Sequence, residues 1–107
     1  MNMRFLIPEW PAPANVGALS TTRKGGLSHG PYDDGAGGGG LNLGLHVGDD
    51  AAVVRANRAL LRRHLPSDPA WLNQVHGSRV VHAASVSEAP QADASIASQR
   101  GVVCAIQ

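Results

Sequence analysis

The sequence predicts a mixed α/β chain of the α+β kind, a mixed sheet with one main helix on a face. Three observations lead there. Short apolar and β-branched runs recur at both ends of the chain. One stretch, Asp49 to Leu65, carries apolar residues at helical spacing. Between the early strands and that helix lies a glycine-dense segment, Arg23 to Gly40, which cannot pack a core of its own.

Arg4 to Ile7 reads as a short strand stopped by Pro8, and Pro11 and Pro13 extend the chain that follows. Val16 to Thr22 is a second strand, rich in small and β-branched residues. Arg23 to Gly40 is then irregular, with residues 33–40 as a glycine-rich flexible insertion. Leu41 to Val47 alternates with period two. Its leucines and Val47 share one face, and Asn42, Gly44 and His46 share the other, which could line a cavity.

Gly48 ends that strand, and Asp49-Asp50 opens the helix, because either aspartate can cap free N–H groups. Val53, Val54, Asn57, Leu60, Leu61 and His64 or Leu65 recur along it, and Pro66 stops it. Arg55, Arg58, Arg62 and Arg63 read as its solvated face. Trp71 to Val75, Arg79 to Ala83 and Val102 to Ile106 are three further strands. Ser85 to Gln91 is a polar loop, and Ala92 to Ala97 is another short strand candidate. The last strand is apolar enough to be central in a sheet, so the chain reads as cut off, with an exposed edge left beside Val102 to Ile106.

The length, 107 residues, suits one small domain. With four aromatic residues, the core must come from Val, Leu, Ile and Ala. A net charge of +1 without any long basic run argues against nucleic acid or an anionic membrane as a partner. A single cysteine leaves no disulfide partner and makes a reducing cytoplasm the simplest compartment. The apolar run at the start is too short for a signal peptide, and none is long enough to span a membrane.

His76 is the leading candidate for chemistry. It follows Trp71-Leu72-Asn73-Gln74-Val75 at a strand end and precedes Gly77, a setting from which an imidazole can reach a metal or substrate. The competing reading is a histidine hydrogen-bonded in a turn. His46 and His82 alternate with apolar residues and read as structural. His29 sits in the glycine segment, and His64 suits the negative end of the helix dipole. Arg23, before Lys24-Gly25-Gly26, is a candidate anion clamp. Neither this segment nor the tetraglycine run matches a Walker loop or a dinucleotide fingerprint. Cys104, among apolar neighbours, reads as a buried inert thiol.

Four segments taken together carry a resemblance. They are Ser20-Thr21-Thr22-Arg23-Lys24-Gly25-Gly26-Leu27-Ser28, Leu41-Asn42-Leu43-Gly44-Leu45-His46-Val47-Gly48-Asp49-Asp50, Asn57-Arg58, and Gln74-Val75-His76-Gly77, with Ala92-Asp93-Ala94 downstream. In this order the chain resembles the N-terminal part of the bacterial laccase-domain family, whose members carry the labels polyphenol oxidase, purine nucleoside phosphorylase and peptidoglycan editing factor. The resemblance implies an αββα-type sandwich, of which residues 1–107 are a single partial domain. It also implies a site built from one histidine of the Gln-x-His-Gly segment, a cysteine of a later Thr-Ala-Asp-Cys segment and a histidine of a Val-His-Ala-Gly-Trp segment. These would bind zinc or, in the oxidase reading, copper. By this resemblance His76 is the first ligand, the other two fall beyond Gln107, and Cys104 is not one of them. Arg23 would bind phosphate and Asn42 the substrate. The glycine-rich stretch from Asp33 to Gly40 departs from the family pattern.

Three functional readings follow. The parent protein is a zinc-dependent purine nucleoside phosphorylase acting on purine nucleosides and phosphate; or it is a copper-dependent polyphenol oxidase; or the 107-residue chain is a truncated, folded and inactive fragment. One histidine cannot close a catalytic zinc site, which takes three protein ligands.

Overall fold

The computed structural model describes residues 3–107. It is a mixed α/β structure with one main helix and three small two-stranded sheets. The chain forms two compact units, Met1–Arg58 and Ala59–Gln107, with the boundary inside the helix.

In the first unit, β1 (Phe5–Leu6) pairs antiparallel with β2 (Ser20–Thr21), Phe5 opposite Thr21. Thr22 Oγ1 donates to the Arg4 carbonyl at 2.8 Å and extends the pairing by a side chain. β3 (Lys24–Ser28) is the longest strand among the described residues, and it lies where irregular structure was predicted. Gly26 lets this strand pack closely against its neighbours. A Cβ on Gly26 would come within 2.6 Å of Asn57 Oδ1 and of Leu41 Cα, so only a glycine permits this close approach. Gly40 bridges Lys24 and Ser28 from the opposite side.

The stretch 33–40 carries a specific hydrogen-bond set. Asp33 Oδ1 accepts from Gly35 N at 2.7 Å, and Asp34 Oδ1 accepts from Ala36 N and Gly38 N at 2.8 Å each. Both are aspartate side chains turning their own backbone.

The strand predicted over Leu41 to Val47 does not form. Asn42 Oδ1 accepts from Gly44 N at 3.1 Å, and this local turn replaces the ladder that the alternation suggested. His46 is exposed there.

The helix α1 spans Ala51–Arg62. Asp50 is its cap: Oδ1 accepts from Ala52 N at 2.9 Å and the carbonyl accepts from Val54 N at 3.0 Å. Val54, Asn57 and Leu61 form its buried stripe. The helix ends before the predicted stop at Pro66. Two turn bonds, His64 N to Leu61 O and Leu65 N to Arg62 O, close it, and Arg62 Nη1 reaches the Leu65 carbonyl at 2.8 Å. Arg58 is not on a solvated face. It is half-buried, its Nε donates to Leu43 O at 2.9 Å, and burial pushes its pKa down.

In the second unit, β4 (Pro69–Ala70) runs parallel to a terminal strand, and β5 (Val80–His82) runs parallel to β6 (Ala94–Ile96) with Val80 opposite Ala94. The terminal strand, β7, is only Val103–Cys104. The core of this unit includes Ala70, Leu72, Ala83 and Ala92. Cys104, predicted buried, is exposed. Its strand is too short, and paired on too few residues, to cover it. No described helix is long and apolar enough to cross a membrane.

Candidate functional site

The strand predicted over Trp71 to Val75 survives as one parallel bridge, Asn73 to Gln91. Pairing resumes at Val80 opposite Ala94. Between these points six residues, 74–79, face two, 92 and 93. The four extra residues must leave the ladder, and they form a loop with His76 in it.

The loop is stitched at both feet. Asn73 N donates to Pro90 O at 2.8 Å and Ala92 N to Asn73 O at 3.1 Å; Asp93 N donates to Arg79 O at 3.1 Å, and Arg79 Nη1 to Gln91 O at 3.2 Å. Inside it, the Asp93 carboxylate replaces the missing strand partner. Oδ1 accepts from Val75 N at 3.1 Å and His76 N at 2.7 Å, and Oδ2 accepts from Gly77 N at 2.8 Å. These N–H groups hold the Asp93 carboxyl below the usual carboxylate range, Gly77 contributing most, then His76 and Val75, with the His76 side chain adding a smaller attraction.

His76 has φ +57°, and it is the non-glycine residue in the left-handed region among those described. That conformation is costly for a residue with a Cβ and persists where surrounding bonds enforce it. The imidazole is exposed and makes no hydrogen bond to a described residue. Its position was legible in the sequence; the role of Asp93 was not, although the Ala92-Asp93-Ala94 motif marked the residue.

Arg23 and Asn42 lie in the first unit, where Leu41 N donates to Arg23 O at 2.9 Å. Arg23 is exposed at 56 %, yet it already grips oxygen: Nε donates to Asp33 O, and Nη2 to Pro31 O at 2.9 Å and to Asp33 Oδ1 at 3.5 Å. Its clamp geometry therefore closes on its own loop. Asn42 Nδ2 donates to Asp49 Oδ2 at 3.2 Å, and Ser28 Oγ reaches the same oxygen at 2.6 Å. Asn57, wholly buried, ties this network together. Nδ2 donates to Ser28 Oγ at 2.9 Å, Asn42 O at 2.9 Å and Gly40 O at 3.3 Å, and Oδ1 accepts from Leu27 N at 2.8 Å. Sequence reasoning placed Asn57 on the helix stripe but missed it as a hub. A polar residue among apolar ones at a stripe position was the available signal.

A concavity of about 600 Å³ in the second unit is lined by Trp71, Ala83, Glu88 and Val103 and does not include His76. Among the described residues, no three His, Cys, Asp or Glu side chains converge as a metal site. His76 can supply one nitrogen donor where a catalytic zinc takes three protein ligands. The described residues fit one corner of such a site and not the whole.

Residues 17–107 match the family described as multi-copper polyphenol oxidoreductase laccase. The chain is 48% identical over 102 residues to a purine nucleoside phosphorylase of Pseudomonas aeruginosa, covering 95% of this chain and 39% of that protein. It is 43% identical over 106 residues to one from Escherichia coli K12, covering 96% and 41%. A crystal structure of a Neisseria meningitidis protein of the DUF152 family superposes with a TM-score of 0.81 at 47% identity, covering 95% of this chain and 40% of that one. The chain thus spans about two-fifths of the length of these relatives. On this evidence the chain belongs to the multi-copper polyphenol oxidoreductase laccase family.

Proposed function

We propose that the chain is the N-terminal part of a zinc-dependent purine nucleoside phosphorylase, with His76 as one metal ligand and the remaining ligands supplied by later sequence. The names of the similar proteins support the activity. The observation that carries the role of His76 is its placement: an exposed imidazole on a loop whose backbone Asp93 fastens at three consecutive N–H groups. In the reaction, a phosphate oxygen bonds to the anomeric carbon of the nucleoside as the C–N glycosidic bond breaks. The purine leaves with the electron pair and takes up a proton. Bound zinc would supply Lewis-acid polarisation.

The chain's own residues would orient the reactants. The exposed Arg23 guanidinium is the proposed phosphate contact, and Asn42 the proposed nucleoside contact. With no three donors converging among the described residues, the 107-residue chain alone is proposed to be inactive. The reading places the protein in the cytoplasm.

The test is phosphate-dependent release of a purine base by the full-length protein. His76→Ala should abolish it while the fold persists. Unchanged turnover in that variant would overturn the assignment. The family description names copper; phenol oxidation with oxygen uptake on copper loading, without phosphorolysis, would establish the polyphenol oxidase reading instead.

A further inference from the structure

We propose that Asp93 is the positioning residue of this site: its carboxylate sets the backbone of residue 76 in the left-handed region and thereby sets the direction in which the His76 side chain leaves the loop. This rests on the reading of His76 as a functional residue. Three observations carry it.

First, the pairing offset forces a four-residue loop at this point, and a loop of that length has no ladder to hold it. Second, both carboxylate oxygens are used, Oδ1 on Val75 N and His76 N and Oδ2 on Gly77 N. An array of that kind orients three successive peptide planes, including the two that flank His76, so it constrains φ and ψ at residue 76 rather than merely attracting the loop. Third, the residue so held is a histidine at φ +57°. Glycine adopts this conformation without cost, whereas a histidine adopts it at a cost that these bonds offset. The sequence therefore retains an imidazole where turn geometry alone would favour glycine, and places beside it the carboxylate that makes the histidine tenable.

Asp93 is itself fixed. It directly precedes β6, and its own N–H donates to Arg79 O at 3.1 Å across the foot of the loop. A Cβ on Gly77 would lie 3.4 Å from Asp93 Oδ2, so the carboxylate packs close against that backbone. The brace is hydrogen-bonded at both ends, as suits a site that must hold a group within a fraction of an ångström.

The discriminating variant is Asp93→Asn. Its one carbonyl oxygen can still serve Val75 and His76, so the chain should fold, but the amide nitrogen cannot accept from Gly77. In the 107-residue chain, NMR should show the Gly77 amide proton moving upfield and the strong intraresidue amide–Hα NOE of His76, the mark of a positive φ, weakening, with amide dispersion elsewhere retained. In the full-length protein, kcat should fall about 10- to 100-fold, as for other partners that orient a site histidine, with KM for the nucleoside little changed. A folded Asp93→Asn chain with an unchanged His76 NOE would overturn the proposal. So would lowered thermal stability alone, with the NOE and kcat intact, since that is what a merely structural carboxylate would give. The two readings fail separately. Normal turnover in His76→Ala removes the functional role of His76, whereas an unchanged His76 NOE in Asp93→Asn removes only the brace.

Discussion

Asn57 and Ser28 are 29 residues apart in sequence, wholly buried, and joined by a 2.9 Å hydrogen bond from the Asn57 amide to Ser28 Oγ. The bond locks the helix to β3. The same amide group holds the carbonyls of Gly40 and Asn42, so one side chain organises three separate stretches of backbone.

Replacing Asn57 should therefore be severe. Asn57→Ala leaves buried acceptors and the Leu27 N–H without partners, at a cost of about 2–4 kcal/mol. Asn57→Asp has nearly the same shape but turns the donor that faces three oxygens into an acceptor. It should destabilise at least as much. Urea denaturation of the two variants measures both. A loss confined to Ala would show that volume rather than donor chemistry matters here.

How much of this was readable in advance depends on the range of the interaction. The start of α1 was legible because capping by Asp50 is a contact between near neighbours in sequence. His76 was legible as a position because a histidine before glycine at a strand end is a local pattern. Strand β3 was not, because Gly26 admits Leu41 and Asn57 from far along the chain. The strand expected over Leu41 to Val47 failed for the opposite reason: the alternation was present, but the Asn42 side chain offered the backbone a closer partner. The role of Asp93 escaped notice because the residues it holds lie 16–18 positions away.

The glycines of residues 35–40 should not be equivalent. A Cβ on Gly40 would collide with Tyr32 O and lie 2.6 Å from the Asp33 carbonyl carbon, both backbone atoms that cannot rotate away. Gly37 has φ +86° but open space around it. Gly37→Ala should cost about 1 kcal/mol through backbone strain alone. Gly40→Ala should cost several times more, seen as a much larger fall in melting temperature. Equal effects would contradict the packing at Gly40.

Cys104 should react with a thiol-specific reagent in the native state, because it is exposed. The expected result is full labelling without denaturant, at a rate little changed by adding it. Cys104→Ser should alter stability by no more than about 0.5 kcal/mol. Labelling seen only in denaturant would restore the buried thiol that the apolar sequence neighbours suggested.

Acid should weaken the first unit through Asp49. Its carboxyl is held below the usual aspartate range, chiefly by the Ser28 hydroxyl, with the Asn42 amide and the Asp50 N–H adding to it. A carboxylate whose folded pKa is depressed contributes its full stability above the unfolded value, about 4, and loses it as pH falls through the lower folded value. Asp49→Asn should therefore flatten stability against pH below about 4 while retaining its shape near neutrality. Asp34 and Asp93 are depressed by their own backbone N–H partners and should keep their share of the slope. An unchanged acid limb in Asp49→Asn would show that the Ser28 bond carries no linkage.

Arg23 separates two jobs that a guanidinium can do. Its Nε and Nη2 hold Asp33 and Pro31, and its exposed side chain is the proposed phosphate contact. Arg23→Lys keeps the charge but cannot span two carbonyls with a fork of donors. Hydrogen exchange across residues 31–40 should speed up in the 107-residue chain. In the full-length protein the apparent KM for phosphate should rise as well, because the loop and the anion depend on one planar group. Arg23→Gln loses the charge but keeps an amide donor. It should raise the KM for phosphate further than lysine does, with similar loosening of the loop. If lysine loosens the loop while the KM for phosphate stays unchanged in both variants, Arg23 is a clasp for residues 31–33 and not an anion site.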